Sequence, residues 1–122
     1  MKAADEPPSF DEVFVIVEDM PVFPDNSDKS LKRTFSDFRD YIKSETYYPL
    51  MARKRKIQTS VFVQFTIGPD GKIYDIVIPK PKYDLLDYEA ARVIRNSPRW
   101  IPGRQKGKAV AVRMNTSVSF YQ

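Results

Sequence analysis

Neither cysteine nor histidine occurs in the 122 residues. Disulfide staples, thiol chemistry and zinc sites built from Cys and His are therefore excluded. So is a histidine general base, the commonest proton carrier in enzymes. Apolar runs are short, and none approaches the roughly 20 residues that a membrane-spanning helix needs. The start, "MKAADEPPS", lacks the charged, apolar and small-residue order of a secretory signal and reads as a flexible tail over residues 1–12. Glycine is scarce. Gly68, Gly71, Gly103 and Gly107 form neither GxGxxG nor a Walker loop, so no nucleotide cradle is expected.

Charge is present but uneven. Residues 1–50 carry 11 acids and 6 bases, and residues 51–122 carry 5 acids and 14 bases. Such asymmetry points to a basic body with an acidic arm, or to a basic binding face. The run "ARKRK" at 52–56 is too short, and too poor in neighbouring strand aromatics, for a nucleic-acid site. It reads as a solvated or protein-facing surface, and no nucleic acid partner is expected. Asp84, Asp87 and Glu89 gather where a helix should begin, with Asp84 as its cap, and complement the helix dipole. Asp11, Glu12, Glu18 and Asp19 flank an apolar run without pairing as acid and base. The expectation is a non-enzyme without metal or cofactor.

Patterning predicts the elements. Val13 to Val17 is an apolar run of strand length, expected to pack along a sheet edge. Leu31, Phe35, Phe38 and Ile42 recur at helical spacing, as an apolar stripe for the core. Val61, Val63, Phe65 and Ile67 alternate with Phe62, Gln64 and Thr66 along one hairpin strand, and "GPDG" supplies its turn. Leu86, Ala90, Val93 and Ile94 form the inner face of a second helix. Trp100 reads as a core plug before the basic loop "PGRQKGK". Finally Val110, Val112, Met114, Thr116, Val118 and Phe120 alternate with Ala111, Arg113, Asn115, Ser117 and Ser119. The fold class is α+β: a small antiparallel sheet in β-α-β-β-α-β order, with two helices on one face of a single domain, 13–122.

Two stretches carry a family resemblance. "YYPLMARKRKIQTSVFVQFTIGPDGKIYDIVI" and "LLDYEAARVIRNSPRWIPGRQKGKAVAVRMNTSVSF" resemble, in order and spacing, the carboxy-terminal domain family of TonB over residues 47–122. "VFVIVEDMPVFP" and the helix after it resemble an amino-terminal extension in one branch of that family. Thr59 stands where a glycine is usual, and Asp25 and Asn26 replace a common glycine pair.

The resemblance implies a periplasmic domain of an energy transducer. It implies an outer-membrane transporter as partner, held through its extended TonB box. It also implies inner-membrane motor proteins, reached through a membrane anchor outside these residues. The last strand, Val110 to Phe120, would receive the peptide, with Tyr48 and Pro49 nearby. An open edge of that kind also allows a homodimer. A sensing or scaffolding module of another envelope protein is the alternative, with a basic nucleic-acid binder behind it.

Overall fold

The computed structural model describes residues 10, 12–24 and 37–121. Its strands are β1 (Val13–Phe14), β2 (Thr59–Ile67), β3 (Ile73–Val77), β4 (Gly103–Gln105) and β5 (Lys108–Phe120). Its helices are α1 (Phe38–Glu45), α2 (Leu50–Lys54) and α3 (Asp84–Arg95). The sheet runs β1-β5-β2-β3, and β4 pairs with β5.

The centre of the sheet is the long antiparallel pairing of β2 with β5, in unbroken register from Thr59↔Phe120 to Ile67↔Val112. The alternation predicted for both strands holds except at Thr66 of β2 and at Ala111 of β5, which was expected on the polar face but is buried where β1 pairs with it. Val61, Val63, Phe65 and Ile67 are buried from β2, and Val112, Val118 and Phe120 from β5. Thr66 departs from its expected solvent face and is also buried. It lies where β3 carries an extra residue opposite β2, since Gln64 pairs with Val77 but Thr66 with Tyr74. Asp75 absorbs the insertion at φ 53°, a left-handed conformation that aspartate tolerates better than most residues.

The β2–β3 turn forms as "GPDG" predicts. The Gly71 N–H donates to Gly68 O at 2.9 Å, and Gly71 takes φ 81°. Asp70 stiffens the turn by accepting from the Lys72 N–H at 3.0 Å and the Tyr74 hydroxyl at 2.5 Å. Burial alone would raise the Asp70 carboxyl, but these hydrogen bonds outweigh it and hold it below its usual range.

Helices cover one face of the sheet. Leu86, Ala90, Val93 and Ile94 of α3 pack with Tyr41 and Ile42 of α1 and Ala52 of α2 in a common core. An aromatic cluster closes one end. Trp100, 5% exposed, meets Phe38 at 4.8 Å and Phe23 at 5.5 Å, both edge-on, and donates its indole N–H to Ser97. Phe10, within the stretch read as a tail, sets its ring edge-on to Tyr74 at 5.3 Å.

Several expectations need correction. The sheet is not purely antiparallel, because β1 runs parallel to β5 through Val13↔Ala111 and Phe14↔Val112. Only two residues of the Val13–Val17 run pair; Val15 and Ile16 turn outward and are 63% and 81% exposed. The Gly-Pro-basic stretch is not all loop, since Gly103–Gln105 pairs back on β5 through a Lys106–Gly107 turn. Both turn residues have positive φ, 52° and 78°, the geometry that suits a two-residue hairpin. Pro49 caps a third helix, α2, beyond the two expected. The cap of α3 is Tyr83, with Asp84 as the first helical residue; Asp87 instead accepts from the Lys82 N–H at 2.9 Å. In α1, Asp37 caps by accepting from the Asp40 N–H. Leu31, Phe35, Asp11, Asp25 and Asn26 lie outside the described residues.

Candidate functional site

A strand interior to a sheet spends its backbone groups on two neighbours, and an edge strand spends half of them. β5 changes from one condition to the other along its length. Residues Lys108–Val110 pair with β4, and Ala111 and Val112 pair with β1. From Arg113 to Phe120 the side away from β2 has no strand partner among the described residues. Alternate residues of this stretch direct N–H and C=O outward.

The open edge is therefore shorter than the Val110–Phe120 span read from the sequence. Val110 is taken up by β4, and Ala111 and Val112 by β1. The side chains divide as the alternation requires. Arg113, Asn115, Ser117 and Ser119 are exposed, whereas Val118 and Phe120 are buried and Met114 and Thr116 half-buried. The inward set holds the strand in place, and what remains available along the edge is mainly backbone.

Helix α1 forms a wall beside this edge. Two concavities follow the seam, of about 450 Å³ and 800 Å³. Arg39, Ile42, Ser117 and Ser119 line both, and Tyr48 and Phe120 close one end. The Tyr48 ring meets Phe120 edge-on at 5.8 Å, and its hydroxyl donates to Ile57 O. Pro49 is half-buried behind it and presents its carbonyl to the Arg53 N–H at 2.9 Å. Tyr48 and the distal half of β5 thus come together, while Pro49 serves the backbone turn into α2.

One part of this arrangement was not foreseen. Glu89, assigned to the helix dipole by its position, is 5% exposed and does different work. Its carboxylate accepts two hydrogen bonds from Arg92, at 2.6 and 2.8 Å, and a third from the Tyr47 N–H at 2.5 Å. Arg92 also donates to Glu45 O at 3.0 Å, a carbonyl of the last turn of α1. The hydrogen bonds from Arg92 to Glu89 hold the guanidinium protonated more firmly than usual. Nearby, the Tyr41 hydroxyl donates to Val93 O at 2.7 Å. Burial first, and the Glu45 carboxylate second, push its pKa up to about 12. The spacing of Glu89 and Arg92 shows an ion pair in the sequence, but not its reach to Tyr47, 42 residues away.

The chain matches the family model described as "Gram-negative bacterial TonB protein C-terminal" over residues 44–121. Protein TonB from two strains of Helicobacter pylori is 37% identical over 62 residues, which is 50% of this chain and 22% of each relative. The chain thus spans about a fifth of the length of the curated relatives it matches. The NMR solution structure of the Helicobacter pylori TonB C-terminal domain is 28% identical, at a TM-score of 0.48, over 69% of this chain and 78% of that one.

Proposed function

Because the chain belongs to the TonB C-terminal family, we propose that it is the periplasmic domain of an energy transducer that grips outer-membrane transporters. The grip is strand addition. An extended TonB box lies along β5 from Arg113 to Phe120 and becomes the next strand of the sheet. The observation that carries this reading is the open half of β5 beside the α1 groove.

The geometry suits reversible traction. Eight open residues present four with outward backbone groups, enough for about six hydrogen bonds at roughly 0.5–1.5 kcal/mol each. Ordering and association offset much of that sum, which leaves moderate affinity. A pull along the strand loads these bonds together in shear, whereas a pull across it would open them one at a time. An inner-membrane motor acting through the rest of a longer protein would pull in the first way.

Paired proline substitutions test the reading. Neighbouring residues of an edge strand point their N–H groups to opposite sides, and proline removes one donor. Of Asn115→Pro and Thr116→Pro, one should weaken binding of a TonB-box peptide in a domain that still folds. The other should break the β2 ladder and lower stability. Alanine at Asn115 should leave binding nearly unchanged. If alanine abolishes binding and the outward proline is harmless, side chains carry recognition and strand addition is wrong.

A further inference from the structure

From the geometry we infer that Glu89 and Arg92 are the positioning residues of the peptide groove, locking the α1 wall and Tyr48 against β5. This rests on the strand-addition reading.

Helix α1 is held unevenly. Its first turn is anchored by Phe38, whose ring meets Trp100 at 4.8 Å and Phe65 at 5.8 Å. Its middle is anchored by buried Tyr41 and Ile42. Beyond Ile42 the side chains of Lys43 and Ser44 are exposed and those of Glu45 and Thr46 half-buried. The Glu89–Arg92 pair ties this end to α3, through Tyr47 N–H on one side and Glu45 O on the other. The tied stretch lines one end of the groove, with Lys43, Thr46 and Tyr48 on its surface, while Arg39 and Ile42 of the anchored turns line the rest.

The residue types fit positioning better than bulk stability. Burying the Glu89 carboxylate costs much of what its attraction to the Arg92 guanidinium, whose side chain is 36% exposed, returns. What the pair supplies is direction. A planar guanidinium forked onto a carboxylate leaves little freedom in distance or angle. The remaining lone pair and N–H then fix two points of the backbone on either side of Thr46. Tyr48, one residue further, carries that placement to Phe120 at the end of the open edge.

The test compares Arg92→Ala, Arg92→Lys and Glu89→Gln with the unaltered chain. Each is checked for folding by circular dichroism and titrated with a synthetic TonB-box peptide. Amide exchange is followed at Lys43 to Tyr48. In folded protein, Arg92→Ala should bind about tenfold more weakly, with faster exchange confined to that stretch. Arg92→Lys should recover part of the affinity, because it keeps the charge but not the fork. If Arg92→Ala does not fold, Glu89→Gln carries the comparison, since it keeps an acceptor for Tyr47 and loses the charge. A folded Arg92→Ala or Glu89→Gln that binds as tightly as the unaltered chain overturns the inference and leaves strand addition standing. Failure of the unaltered chain to bind overturns both.

Discussion

Gly71 and Gly107 both have positive φ, 81° and 78°, yet alanine at the two sites should have very different consequences. An L-residue in this region costs roughly 1–2 kcal/mol. At Gly107 that is the whole effect, because an added Cβ meets nothing within 4 Å. At Gly71 the added Cβ would lie 2.0 Å from the carbonyl oxygen of Trp100, a backbone atom that cannot swing away. The same glycine accepts from the Trp100 N–H at 2.8 Å. Relief of the clash must move the tryptophan segment, lose that bond, worth about 0.5–1.5 kcal/mol, and loosen a buried aromatic cluster. Full truncation of such a side chain costs about 3–5 kcal/mol, and partial displacement a fraction of that. Gly71→Ala should therefore lose about 3–5 kcal/mol in all, against about 1–2 kcal/mol for Gly107→Ala. Urea unfolding followed by fluorescence reads both, and Trp100, the only tryptophan, reports from the perturbed place. Equal losses at the two glycines would refute the idea that the hairpin turn buttresses the tryptophan.

Phe120, 1% exposed and edge-on to Tyr48, should cost about 3–5 kcal/mol when cut to alanine, measured by chemical denaturation. Tyr41 should titrate near its raised value of about 12 in ultraviolet titration of the folded chain. Its folded pKa lies above the unfolded value of 10, so its contribution is complete below pH 10 and fades as pH rises from 10 to about 12. Tyr41→Phe should flatten that alkaline loss; an unchanged slope would show that Tyr41 is not its source.

The parts legible in the sequence are those in which local pattern and tertiary packing agree. The alternation of Val61 to Ile67, the Gly-Pro-Asp-Gly turn and the stripe on α3 each encode one face or one bend, and the core uses them as written. Other parts depend on contacts that no local window contains. Gly103–Gln105 has no strand character of its own and pairs because Lys106 and Gly107 accept positive φ. The apolar run after Glu12 reads as one strand, yet the chain bends at Val15 and only Val13 and Phe14 stay on β5. α2 has five residues, one turn and a half between Pro49 and Arg55, and leaves no periodic trace. At the site the last strand was legible, but its division into a covered and an open half was not. That boundary lies where β1 ends, and it depends on a parallel pairing about 98 residues apart in the chain. The Glu89 tie to Tyr47 was hidden for the same reason, since a charged residue in an early helical turn already has a sufficient local role.

Amide exchange along β5, measured by NMR with and without a TonB-box peptide, tests strand addition most directly. The account predicts that alternate N–H groups between Arg113 and Phe120 become newly protected, while the others, already bonded to β2, change little. Binding that leaves every amide of this stretch as it was would contradict the account.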